Sequence, residues 1–170
     1  MEANIIKQRG KIVFDPVDVT NKHKSQSTWK RTAMIQIDGD ITYYYGWFIE
    51  KRYGLVLNKP LRNAHVTFIN DKTSDMSDNW NEVKSKWDGK EIDIILYVSP
   101  RTDSDDKYSS GHWWLNIPEE NRDELHAIRA ELGLGRPHWG LHLTIGYANE
   151  KNMEHSKYIH RLIKKGLITE

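Results

Sequence analysis

Two short segments of this chain carry the same alternation. Ala64-His65-Val66-Thr67-Phe68-Ile69 and Leu141-His142-Leu143-Thr144-Ile145-Gly146 both run apolar, His, apolar, Thr, apolar. Strict alternation over this length is the pattern of a half-buried β-strand, whose successive side chains point to opposite faces. Each segment therefore has one face for a core and one face holding an imidazole beside a hydroxyl. A one-residue slip would bury both polar groups, so the pattern fixes face as well as element.

The rest of the chain reads as an α+β domain. Lys11-Ile12-Val13-Phe14 and Ala33-Met34-Ile35-Gln36-Ile37 are β-prone, and Asp38-Gly39-Asp40 reads as a hairpin turn into a strand over Ile41–Ile49. Lys51–Gly54 turns the chain, Leu55-Val56-Leu57 returns, and Pro60 ends that run. Met76, Trp80, Val83 and Trp87 form a helical stripe ending near Gly89. Strands are expected at Ile92–Val98 and His112–Ile117, with a surface loop from Pro100 to Gly111. Pro118, Glu119 and Glu120 suit a helix start; Leu125, Ile128 and Leu132 supply its stripe and Gly133 its end. A last helix spans Met153–Ile168, with Ile159, Leu162 and Ile163 inward. Residues 1–170 form a single domain with a mostly antiparallel sheet, helices on one side, and Met1 to about Arg9 as a loose end. No internal repeat or linker composition interrupts it.

Composition narrows the function classes. The 170 residues include no cysteine, which removes a disulfide framework, a thiolate metal site and a cysteine nucleophile. Lys+Arg and Asp+Glu nearly balance at 25 and 24, so coating of long duplex nucleic acid by charge alone is not expected. Mean hydropathy is -0.74, and no run approaches a membrane span. No signal peptide is expected, and the expected location is cytoplasmic. Seven Trp and eight Tyr are more aromatic groups than a core requires.

The paired His and Thr carry the chemistry. Two imidazoles facing one phosphodiester serve as general base and general acid, and each hydroxyl can donate to a phosphate oxygen. His65, Thr67, His142 and Thr144 are the candidate catalytic residues. The mechanism calls for no cofactor. No His-x-His or HExxH spacing occurs, so no metal site is expected. His23-Lys24-Ser25 matches by chance in a polar stretch. His112 and His138 flank the second strands but are not assigned to the site, and His126, His155 and His160 fall on helices. Tyr53, Trp113 and Trp139 are the candidate base-stacking residues for substrate. Trp80 and Trp87 belong to the core, and Trp47 and Trp114 are half-buried strand residues. Tyr147 falls on the strand face opposite Thr144 and is set aside. Lys51, Arg52, Lys59 and Arg62 lie just upstream of the first motif and Arg136 just upstream of the second, either as groups that attract phosphate or as solvated turn charges.

Residues from about Gly46 to Tyr147 resemble the 2H phosphoesterase superfamily, named for two His-x-Thr/Ser motifs. Trp47-Phe48-Ile49, Tyr53-Gly54-Leu55, Pro60 and His65-Val66-Thr67 look like a first lobe. Trp114-Leu115-Asn116-Ile117-Pro118, a helix, Pro137 and His142-Leu143-Thr144-Ile145-Gly146 look like a second. The resemblance implies a bilobal, pseudo-symmetric fold with both motifs in a central groove. The stretch Gly46 to Asn70 is most similar to the phage anti-CBASS branch, which cleaves cyclic di- and trinucleotides. It implies a metal-independent phosphodiesterase acting on 3'-5' linkages of such signals in the host cytoplasm, with a cyclic oligonucleotide or short RNA as partner. The alternatives are processing of RNA ends or 2'-5' linkages, and a module that holds a nucleotide without cutting it.

Overall fold

The computed structural model describes residues 4–17, 29–60, 62–71, 78–103 and 111–168. Its seven strands are β1 (Ile5–Phe14), β2 (Ala33–Ile37), β3 (His65–Ile69), β4 (Glu91–Tyr97), β5 (Arg101–Thr102), β6 (His112–Asn116) and β7 (His142–Tyr147). Four α-helices accompany them: α1 (Asp40–Tyr53), α2 (Trp80–Trp87), α3 (Asp123–Glu131) and α4 (Met153–Lys164). One antiparallel sheet runs in the order β4-β1-β2-β3-β7-β6-β5. It curls into a half-barrel, so that β4 at one edge also comes against β6. Among the described residues no helix is long and apolar enough to cross a membrane.

Alternation divides the sheet into two chemical faces. Val66 and Phe68 of β3, Leu143 and Ile145 of β7, Trp113 and Leu115 of β6, and Ile35 and Ile37 of β2 join one buried cluster. Ile49 of α1, Val83 of α2, Leu125 and Ile128 of α3 and Ile159 of α4 complete the same cluster. The helices thus cover the apolar face, and the His and Thr of both motifs lie on the other.

The segment Asp40–Tyr53 is a helix, not the strand that its β-branched and aromatic content suggests. Its buried residues are Ile41, Tyr45, Ile49 and Tyr53, spaced four apart. Tyr43, Tyr44 and Trp47 are large, apolar and exposed, so the stripe is masked by apolar residues on the outer side. Trp47, expected half-buried in a strand, is 55% exposed on this helix. Asp38-Gly39-Asp40 accordingly starts a helix rather than a hairpin: the Asp38 carboxylate accepts the Asp40 N–H, and the Gly39 carbonyl accepts those of Thr42 and Tyr43. Gly54 closes it at φ 67°, a left-handed position that favours glycine. Packing against the sheet overrides strand propensity here.

Other boundaries shift as well. Ile5–Arg9 is not loose but pairs with β4 across Ile5↔Tyr97 to Arg9↔Asp93. Leu55-Val56-Leu57 is not a strand; the chain there makes only an isolated bridge, Asn58↔Tyr147. Within the expected surface loop, Arg101 and Thr102 form β5, and residues 104–110 lie outside the description. Helix α2 begins at Trp80, and Met76 lies outside the described residues. A short 3-10 turn at Glu119–Asn121 precedes α3, and α4 ends at Lys164.

Candidate active site

The two motifs meet at the centre of the sheet. Strands β3 and β7 pair antiparallel at Val66↔Leu143, the middle residues of the two motifs. That register sets His65 across from Thr144, and Thr67 across from His142. Each motif is flanked by an outer strand with the same register. Gln36↔His65, Ile35↔Val66, Met34↔Thr67 and Ala33↔Ile69 on one side match Asn116↔His142, Leu115↔Leu143, Trp114↔Thr144 and Trp113↔Gly146 on the other. Both ladders skip one residue just after the Thr, at Phe68 and at Ile145, so each half carries a β-bulge at the same place. The backbone repeats where the sequence shows no repeat beyond the motifs.

The two imidazoles are held alike. His65 Nδ1 lies 2.7 Å from the Asn63 carbonyl oxygen, and His142 Nδ1 lies 2.6 Å from that of Gly140. Each acceptor is two residues upstream. A carbonyl only accepts, so each Nδ1 carries the proton and donates it. The titratable atom left for a substrate is therefore Nε2 in both rings. Burial lowers the pKa of each histidine below its ordinary value, with the carbonyl bond opposing the shift. For His65 the nearby charges of Arg62 and His142 lower it further. Both rings thus favour the neutral state that a general base requires, and each can carry a proton when an anion offsets the burial.

A third histidine belongs to this face. His112 Nε2 is 2.9 Å from Thr144 Oγ1. Its ring stacks between Trp114, at 4.8 Å and 28°, and Tyr147, at 5.1 Å and 18°. It also meets the His142 ring edge-on at 5.2 Å. Burial, together with the charge of His142, pushes the His112 pKa down to about 4. Trp114 donates its indole N–H to Asn116 Oδ1 at 2.9 Å.

The base-stacking expectations need correction. Trp113 is fully buried on the apolar face, where its indole N–H donates to Ser156 Oγ at 3.0 Å. Tyr53 is buried against it, with ring centroids 5.6 Å apart. Neither ring can stack on a base. Apolar Leu115 and Ile117 share Trp113's face, and that spacing was the signal that placed Trp114, not Trp113, outward. Trp139 is half-buried behind β3; its indole N–H points to the Thr67 carbonyl at 3.3 Å, and the Arg129 guanidinium lies 5.5 Å from its ring centroid. It braces the motif backbone. Tyr147 stands 39% exposed on the site, because the bulge turns it onto His112's face against simple alternation.

Supporting contacts hold the frame. Gly146 lets residues 57 and 58 close over the end of β7: a Cβ there would lie 2.6 Å from the Asn58 carbonyl oxygen and 3.0 Å from Leu57 Cβ. Arg129, buried at 1% exposure, donates to the Phe68 and Gly135 carbonyls and to both Asp71 carboxylate oxygens. It ties the end of β3 to the loop that leads into β7. Among the described residues no three His, Asp or Glu side chains gather as metal ligands. No family model matches the chain, and neither does any curated protein or solved structure.

Proposed function

We propose that this chain is a metal-independent phosphodiesterase of the 2H type that opens 3'-5' linkages in a cyclic oligonucleotide signal and so counters CBASS-type immunity in the host cytoplasm. The observation that carries the reading is the duplicated clamp: two imidazoles, each fixed through Nδ1 by a carbonyl two residues upstream, each across from the other motif's Thr. A binding module has no use for two titratable rings presented alike.

The chemistry balances without a protein nucleophile. One neutral imidazole takes the proton of the ribose 2'-hydroxyl, and that oxygen attacks phosphorus. The other imidazole, protonated, gives its proton to the departing 5'-oxygen. The product is a 2',3'-cyclic phosphate, and the two rings have exchanged protonation states. Water then opens the cyclic phosphate by the same steps in reverse roles, which restores both rings. A pair of rings in matched settings suits such an exchange. Thr67 and Thr144 donate to the phosphoryl oxygens, where charge builds. Tyr147 and Trp114 are the aromatic groups on this face beside which a base can stack.

The test is incubation of the purified protein, in EDTA, with cyclic di- and trinucleotides, short RNAs and 2'-5'-linked oligomers, followed by mass spectrometry in heavy-oxygen water. The expected result is a linear product reached through an unlabelled 2',3'-cyclic end. Intact substrates that bind without being cut would leave the protein a nucleotide-holding module and refute the proposal.

A further inference from the structure

Besides the exchange of Met34 for Trp114, the matched halves of the site differ at one corner. In the β6–β7 half, His112 stands two residues before Trp114, and Tyr147 three residues after Thr144. In the β2–β3 half the corresponding positions are Thr32 and Asn70, by the shared register. Thr32 is fully buried, and its hydroxyl is 3.4 Å from Asn70 Oδ1. The first half therefore closes this corner with a small hydrogen-bonded pair. The second fills it with an imidazole stacked on a phenol, and that imidazole reaches the motif hydroxyl at 2.9 Å.

A hydroxyl has one proton and two lone pairs, so its partner decides what it offers elsewhere. If Thr144 donated to His112, it would turn lone pairs toward an incoming phosphate and repel it. If His112 donates, the Thr144 proton is left to point at the phosphoryl oxygen. We infer that His112 is a positioning residue: its Nε2–H donates to Thr144 Oγ1, so that the Thr144 hydroxyl proton is aimed at the phosphoryl oxygen and this half of the site becomes the anion-facing half. The inference rests on the phosphodiesterase reading for its direction, but the tautomer can be measured without any substrate.

Several features serve this role. The ring cannot swing, because Trp114 and Tyr147 cover its two faces. It also stays neutral while its neighbours titrate; the charged or titratable groups acting on it are His142, which lowers its pKa, and Asp103, which opposes that. A neutral ring keeps one donor and one acceptor in fixed places. The position that corresponds to His112 is Thr32, whose hydroxyl turns to Asn70 and not to Thr67. The site thus acquires a polarity that its backbone symmetry does not provide, and a linkage would be bound in one direction.

Two experiments decide it. Long-range nitrogen–proton NMR of the histidine-labelled full chain at neutral pH should show His112 as the Nε2–H tautomer, and His65 and His142 as Nδ1–H. An Nδ1–H tautomer or an imidazolium at His112 would overturn the inference whether or not the protein cuts nucleotides. The second is a mutant cycle on turnover. His112→Phe keeps a ring in the stack and removes the donor; it should lower kcat about tenfold with KM little changed, the loss of one hydrogen bond to the developing charge. His112→Gln, whose amide N–H can reach the same oxygen, should recover most of that. In a Thr144→Val background His112→Phe should cost nothing further. An equal loss in both backgrounds would show that His112 does not act through Thr144. Absence of turnover by the unaltered protein would refute the proposed function, and the tautomer would still decide the positioning claim.

Discussion

Replacing Arg129 by Met should destabilise the fold by about 3–5 kcal/mol, the cost of breaking a buried ion pair from one side. The magnitude follows from its four hydrogen bonds: the Gly135 carbonyl at 2.8 Å, the Phe68 carbonyl at 2.8 Å, and Asp71 Oδ1 and Oδ2 at 2.7 and 2.8 Å. Adding about 1.5–3 kcal/mol for each would overshoot, because the partly buried Gly135 carbonyl and Asp71 carboxylate can find water, although the buried Phe68 carbonyl cannot. Asp71 keeps a partly exposed side chain, which limits its loss. Methionine retains an apolar stem against Trp139, so the packing term stays small. For a chain of this length the melting temperature should fall by roughly 6–20 °C. The pair also has a pH signature. Burial alone would raise the Asp71 carboxyl, but the hydrogen bonds and charge of Arg129 overcome it and hold the pKa below its usual value. A depressed carboxylate contributes stability that is fully present above its unfolded pKa of about 3.9 and is lost as pH falls through the folded one. Urea unfolding of the single variants and of Arg129→Met with Asp71→Leu should therefore show strong coupling at neutral pH that fades in acid. A loss below about 1 kcal/mol for Arg129→Met would refute the reasoning, because no buried charge pair of this kind is that cheap to break.

Four further outcomes are expected. His65→Ala and His142→Ala should each lower turnover by about 10²–10⁴-fold while unfolding normally, the usual cost of removing a general acid or base; kinetics beside a urea curve checks both. Thr67→Ala should cost less than either, since it removes one donor to the phosphate, and the same assay ranks it. Stability should fall as pH drops from about 6.5 toward about 4, because His112, like His65 and His142, binds its proton more readily unfolded than folded; the His112 pKa of about 4 sets its share at no more than about 3 kcal/mol, and His112→Phe should reduce that slope in urea midpoints without abolishing it. Gly146→Val should be strongly destabilising in thermal unfolding, because its first side-chain carbon meets the Asn58 carbonyl at 2.6 Å.

The candidate site was legible because alternation converts sequence position into strand face. His65 with Thr67, and His142 with Thr144, needed no knowledge of partners to be put together pairwise. Which strands adjoin was not legible: nothing local says that β3 pairs β7 rather than β4 or β6. One residue was lost for a different reason. Simple alternation from Thr144 puts Tyr147 on the far face, and only the bulge beside Ile145 returns it. A bulge leaves no mark in a pattern of apolar and polar residues. Helix α1 was lost because Ile41, Tyr45, Ile49 and Tyr53 share their stretch with exposed Tyr43, Tyr44 and Trp47, which flattens the helical period. Arg129 reads as one more charge on a helix, and only the fold reveals that it spans to Phe68 and Asp71.

The backbone of the site is duplicated although most of its residues are not, and the exceptions show what each position does. Where the two ladders face the core, Ile35 stands against Leu115 and Val66 against Leu143: any apolar group of suitable volume fills that place. On the site face the chemistry repeats more closely. His65 and His142 match, Thr67 and Thr144 match, and each histidine has an amide as its outer ladder partner, Gln36 in one half and Asn116 in the other. Core packing tolerates exchange of shape, whereas proton transfer and anion contact need particular atoms, so the site face keeps its residue types. The departure at Thr32 and Asn70 against His112 and Tyr147 falls on that same face, next to the exchange of Met34 for Trp114. Two equal half-sites cannot tell the attacking oxygen of a phosphodiester from the leaving one. A difference beside Thr144, next to His142 and across the strand pair from His65, is placed to make that distinction.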